Sequence, residues 1–137
     1  MRAVVDVNVL ISGVLSAKGA SAEILRANRD GRFELVVSEM LLTELARTLS
    51  YPKLRQRIPP ERGDAFINWV REHGTLAEDP DGPPPVSSRD PEDDYLLALA
   101  ISRRAYLVTG DQDLLILGRD LPILTPANFA AELRQNR

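Results

Sequence analysis

The opening of the chain constrains its fold more than any other stretch. Residues 3 to 11, Ala-Val-Val-Asp-Val-Asn-Val-Leu-Ile, are apolar and mostly β-branched apart from Asp6 and Asn8. A half-exposed strand alternates polar with apolar residues. A run this apolar reads instead as a central strand buried on both faces, as in a parallel sheet with helices on either side. The expectation is therefore an α/β chain. Asp6 falls near the carboxyl end of that strand, the edge at which open α/β sheets take their ligands. The plainer reading of Asp6-Val7-Asn8 is a turn that closes the strand.

The rest of the chain continues the alternation. Ser12 to Lys18 reads as a short helix and loop, and a helix over 22–29 is stopped by Asp30-Gly31. A second strand spans 33–37. Ser38 then caps a helix over 39–49, with Leu41, Leu42, Leu45 and Leu49 as its core face and Glu44 at the edge of that face. Tyr51-Pro52 stops this helix, and Pro59-Pro60 opens another over 61–72 that packs Phe66, Ile67, Trp69 and Val70 inward or against a partner. Leu76-Ala77 is at most a short strand, and 78–89 is a proline-rich loop. Tyr106-Leu107-Val108-Thr109 is a further buried strand running straight into Gly110-Asp111, with Asp113 placed to cap a short helix over 114–117. A last strand at 122–124 precedes a closing helix begun by Thr125-Pro126 and running through Phe129 and Leu133.

Between these lies Asp90-Pro91-Glu92-Asp93-Asp94-Tyr95-Leu96-Leu97-Ala98-Leu99-Ala100, where acidic residues give way to apolar ones. Asp90 suits an N-cap, Pro91 the first helical position, and Glu92 and Asp93 the positive end of a helix dipole. Arg103-Arg104 suits the negative end. Asp94 is different. At 100° per residue it shares a face with Leu97, Ala98, Ile101 and Ala105, which places a carboxylate in an apolar stripe. An ionised carboxylate in such a place calls for a counter-charge, a metal or a cleft open to water. The alternative is that Asp94 only extends the acidic cap.

Composition removes many function classes. With 137 residues the chain is expected to form one domain over 1–137, and 44% hydrophobic with 27% charged residues is the make-up of an ordinary globular protein. No apolar run approaches the ~20 residues that span a bilayer, so a cytoplasmic protein with no membrane partner is expected. There is no cysteine and one histidine, His73, so disulfides, thiolate zinc sites and multi-histidine metal sites are excluded. A net charge of −3 argues against a protein that coats nucleic acid, though not against local binding through a basic patch. Lys53, Arg55, Arg57 and Arg62 are by default a solvated face, and alternatively a positive lip for phosphates. There is no Walker A loop, no Gly-x-Gly-x-x-Gly after the first strand, no Gly-x-Ser-x-Gly elbow and no His-Glu-x-x-His.

What remains is acidic. Asp6, Asp94 and Asp111 lie at strand and helix junctions, and Glu44 lies one turn into the helix after the second strand, all on one side of a parallel sheet. Carboxylates gathered there would repel one another unless a cation joined them. Oxygen ligands without His or Cys select a hard ion, Mg²⁺ or Mn²⁺, and such an ion suits hydrolysis of a phosphodiester.

Asp6-Val7-Asn8-Val9-Leu10-Ile11, Ser38 followed by Glu44, Asp90 to Asp94 leading to Leu97-Ala98-Leu99-Ala100, and Leu107-Val108-Thr109-Gly110-Asp111 together resemble the PIN-domain nucleases. The likeness is strongest to the small single-domain toxins of toxin–antitoxin pairs, of the VapC kind. It covers nearly the whole chain in the family's order. The resemblance implies a three-layer α/β/α Rossmann-like sandwich with a mainly parallel central sheet, and a Mg²⁺- or Mn²⁺-dependent endoribonuclease acting on RNA. It also implies a cognate antitoxin and a homodimer. By position, the family's four acids fall on Asp6, Glu44, Asp94 and Asp111, its small polar residue on Asn8, and its threonine on Thr109. Val7 stands where many members have Ser or Thr. Asp93 and Asp113 are near in register and could exchange roles with Asp94 and Asp111.

Two other readings compete. A phosphohydrolase with Asp6 as aspartyl nucleophile would want a second Asp where Asn8 stands, and a suitably placed lysine. A catalytically silent PIN-like binding module would use the same acids only to dock a partner or a structural ion.

Overall fold

A computed structural model describes residues 1–82, 84 and 93–136 of the chain. Five strands, β1 (Arg2–Val5), β2 (Glu34–Val37), β3 (Gly74–Leu76), β4 (Tyr106–Val108) and β5 (Ile123–Leu124), form one sheet in the order β3-β2-β1-β4-β5. Every pairing is parallel, and Val5 stands opposite Val108 in the β1–β4 register. The chain steps outward from β1 to β2 and β3, then returns to place β4 and β5 on the other side of β1. The carboxyl ends of β1 and β4 therefore flank the point at which the winding reverses, the crevice where open α/β sheets bind ligands.

Helices α1 (Val7–Leu15), α2 (Ala20–Arg29), α3 (Glu39–Leu49), α4 (Pro52–Arg55), α5 (Pro60–His73), α6 (Asp94–Ser102), α7 (Gln112–Leu115) and α8 (Pro126–Gln135) complete the three-layer α/β/α arrangement. Helix α2 packs on α1 and α8, α3 on α5, and α6 on β1 and β4. The three inner strands are short and buried, with Ala3, Val4, Val5, Leu35, Val36, Val37, Leu107 and Val108 all at 2% exposure or less, as parallel strands covered by helices must be.

Helix α3 forms as its sequence directs. The Ser38 hydroxyl accepts the Leu41 amide at 3.2 Å, and Leu41, Leu42, Leu45 and Leu49 are buried. The Asp79 carboxylate accepts the neighbouring Met40 amide at 3.0 Å, so a second acid satisfies the same helix start from the loop after β3. Gly74 closes α5 and opens β3 in one residue. A Cβ there would stand 2.8 Å from the Val70 carbonyl oxygen, closer than a side chain tolerates.

Two expectations need correction. The run 3–11 is not one strand: β1 ends at Val5, and Val7 to Ile11 belong to α1, whose N-cap is Asp6. Val7, Val9, Leu10 and Ile11 are all buried, so the helix carries the continuous apolar pattern that a buried strand also shows. The short helix after β4 runs Gln112–Leu115, and Asp111 rather than Asp113 caps it, by accepting the Asp113 amide at 2.8 Å. Helix α6 ends at Ser102 with Arg103 as its C-cap, at the end expected for it, and Arg104 turns the chain with φ of 52°. The expected cap residues Asp90, Pro91 and Glu92 lie outside the described residues. Among the described residues no helix is long and apolar enough to cross a membrane.

Candidate active site

Asp6 sits where β1 becomes α1. Its amide donates to the Val108 carbonyl at 2.9 Å, which extends the β1–β4 ladder by one step and fixes the residue at the sheet edge. The side chain is 8% exposed. One carboxylate oxygen accepts the Thr109 hydroxyl at 2.7 Å, and the other accepts the Asn8 amide at 3.4 Å. Both the strand-end and the turn readings of Asp6-Val7-Asn8 thus hold, because the carboxylate that caps α1 is also the one at the crevice.

Thr109, fully buried, binds the two sides of the crevice together. Its hydroxyl donates to Asp6 and accepts the Asp111 amide at 3.0 Å. Asp6, Asn8, Ser12, Ser21 and Asp111 line one hollow of about 400 Å³ at this edge, and no Lys or Arg lines it among the described residues. Burial raises the Asp6 pKa above its ordinary value, and the Asp111 charge raises it further. The Thr109 and Asn8 hydrogen bonds oppose the shift without cancelling it.

The other expected acids do not line this hollow. Glu44 lines a second hollow of about 400 Å³ along α3, with Met40, Thr43, Arg47 and Tyr95, and its carboxylate pairs with Arg47 at 2.7 Å. Asp94 lines a third, with Met40, Asp79, Tyr95 and Ala98. On the Asp94 face, Leu97, Ala98 and Ala105 are buried as expected, while Asp94 and Ile101 are half-buried. Asp113, half-buried, contributes its amide to the Asp111 cap. Among the described residues, no three acidic or histidine side chains come together closely enough to hold a metal ion.

Tyr95 joins the parts, and no sequence pattern singles it out. It lines both the Glu44 and the Asp94 hollows. Burial pushes its phenol pKa well above the ordinary value, and the charges of Asp6, Glu44, Asp93 and Asp79 push in the same direction. Asp79 was likewise missed. It reads as a loop acid, and only the fold places it against α3.

A pair of carboxylates facing one hollow without a basic neighbour suits a hard divalent cation. Mg²⁺ keeps several waters and is commonly held by one or two carboxylates together with substrate phosphates. Asp6 and Asp111 supply such a pair, and Thr109 fixes their spacing. Thr109→Val keeps the shape and removes the hydroxyl. The variant is expected to lose about 1–3 kcal/mol in urea unfolding, and to raise the Asp6 pKa further because the lost bond favoured the ionised form. Carboxyl-carbon NMR of Asp6 reads the shift, and an unchanged or lowered pKa would contradict this role for Thr109.

The chain matches known proteins throughout its length. It is 25% identical over 145 aligned residues to the uncharacterized protein MJ1680 of Methanocaldococcus jannaschii, with 98% of this chain and 93% of that protein covered. The crystal structure of PAE2754 from Pyrobaculum aerophilum superimposes with a TM-score of 0.63 at 13% identity, covering 98% of this chain and 90% of the other, a likeness of fold. The family model for the PIN domain matches residues 2–113, from β1 through the Asp111 cap, and the chain belongs to the PIN domain family.

Proposed function

We propose that the chain is a Mg²⁺- or Mn²⁺-dependent endoribonuclease whose centre is the hollow between β1 and β4. PIN domains are generally nucleases. The observation that carries the reading for this chain is the Asp6 and Asp111 pair on one hollow, linked through Thr109 and without a basic residue in its lining among the described residues.

Asp6 and Asp111 would hold the ion from the two sides of the β1–β4 seam, with Glu44 and Asp94 as further candidate ligands. A bound divalent ion supplies charge neutralisation at a phosphoryl oxygen and makes water a better nucleophile. Thr109 keeps the Asp6 carboxylate turned into the crevice, and the Asn8 amide holds its second oxygen. The crevice, by its acidity, rejects the phosphate backbone unless a cation is present, which makes metal dependence the expected behaviour. In-line attack by water leaves 5′-phosphate and 3′-hydroxyl ends.

The VapC-like pattern extends the proposal to a cytoplasmic, homodimeric toxin restrained by a cognate antitoxin. A labelled single-stranded RNA incubated with the purified chain tests the enzymatic core. Cleavage is expected with Mg²⁺ or Mn²⁺ and none in EDTA, whereas undiminished cleavage in EDTA would remove the metal from the account. Growth arrest on expression, relieved by the product of a small adjoining reading frame, would support the toxin role.

A further inference from the structure

A hollow unlike the acidic ones lies between the C-terminal half of α6 and strands β4 and β5. It encloses about 190 Å³, and Ala100, Ile101, Ala105, Leu107 and Ile123 contribute to its aliphatic wall. Arg104 is the one residue with a polar side chain in its lining among the described residues. The backbone there is unusual. The Ala105 amide returns to the Ala100 carbonyl at 2.9 Å, which closes α6 and leaves Arg104 at the left-handed position that glycine usually takes. Among the described residues it is the only non-glycine with positive φ, a conformation that costs energy in a residue with a Cβ. Its guanidinium pairs with no carboxylate among the described residues.

We propose that this hollow binds a small aliphatic carboxylate, its chain against the wall and its carboxylate on Arg104. The inference is independent of the nuclease reading, since no acid of the crevice takes part in it. With water's share of liquid volume at about 30 Å³, the space takes roughly six methylene-sized groups. That is below the ~300–1,000 Å³ of drug-sized sites, so the ligand is short. An aliphatic wall offers no hydrogen bond, so recognition of a polar group falls to the guanidinium, whose fork matches the two oxygens of a carboxylate. A phosphate would want donors that this wall lacks. Because α6, β4 and β5 share the wall, a ligand there holds the end of α6 to the sheet, and stability rises with ligand concentration. The competing use of Arg104 is to lay its stem over the wall with its charge in water, which needs no ligand.

The test titrates butanoate, hexanoate, octanoate and decanoate into the full chain. Binding is read from carbon-13 methyl NMR of Ile101, Leu107 and Ile123 and from the rise in melting temperature. Affinity is expected to increase about three- to fourfold per methylene up to roughly six to eight carbons, and then to level off as the chain fills the hollow. Hexanoate should bind about fivefold more tightly than 1-hexanol at low salt, and Arg104→Gln should bring the two level. Ala100→Leu, which fills the hollow, should abolish binding. Circular dichroism verifies folding, and Arg104→Gln with the chain-length series carries the test if the Leu variant is unfolded. Unmoved methyl signals at millimolar hexanoate would make Arg104 a cover for the wall and overturn the proposal. So would equal binding of hexanol, an unchanged preference in Arg104→Gln, affinity that keeps rising through decanoate, or a leucine-ended peptide that binds where hexanoate does not.

Discussion

Asp6→Asn is expected to reduce metal-dependent RNA cleavage by at least about two orders of magnitude, since even outer partners of metal centres cost up to about 100-fold. The fold should survive. Asn is as good an N-cap as Asp, since its side-chain oxygen can accept the Asn8 amide while its side-chain amide donates to the Thr109 hydroxyl oxygen, which has a second lone pair beside the one that takes the Asp111 amide. Stability should follow pH in a definite direction. The Asp6 pKa is raised in the folded chain, so its ionised form costs stability above that pKa, and the cost disappears as pH falls through it towards the ordinary 3.8. At neutral pH the Asn variant should therefore melt no lower than wild type, and the difference should move in favour of wild type on acidification. A variant that unfolds at neutral pH would make Asp6 a structural residue, and one that cleaves RNA normally would remove it from catalysis.

Phe129→Ala is expected to have the largest effect on stability. Phe129 is fully buried on α8, with its ring edge-on to Phe33 at 5.2 Å and tilted against Tyr106 at 5.8 Å, so it fastens the closing helix to the sheet. Truncating a buried Phe to Ala costs about 3–5 kcal/mol, a large part of the ~5–15 kcal/mol that holds a domain folded. The urea midpoint should fall by about 2 M. Pro126, at the start of the same helix, lines the Asp6 hollow, so loosening α8 should also lower cleavage at temperatures where the chain remains folded. Phe129→Leu should recover more than half of the stability. A loss below about 1 kcal/mol in the Ala variant would mean that α8 is not fastened through this ring.

Local signals carried much of the fold. Helix α3 was legible to the residue because a capping serine and a leucine face at helical spacing agree, and Thr125-Pro126 marked α8 in the same way. The opening run misled because its apolar, β-branched residues are buried in both β1 and α1, and periodicity vanishes when every face is covered. The signal that could have divided it was Asp6 as an N-cap. Half of the site was legible for a topological reason: Asp6 and Asp111 follow adjacent parallel strands, so strand ends read from the sequence become neighbours in space. Helical spacing names Glu44 and Asp94, but the hollow each lines and the place of Tyr95 between them are set by packing, and Asp79 reaches α3 across 39 residues. Such placements depend on tertiary packing and leave no periodic trace.

The most direct measurement is a titration of the purified chain with Mn²⁺, followed by its electron paramagnetic resonance signal. The account predicts saturable binding by wild type that is displaced by Mg²⁺ and lost in both Asp6→Asn and Asp111→Asn. Binding of equal strength in either variant, or none in wild type, would contradict it.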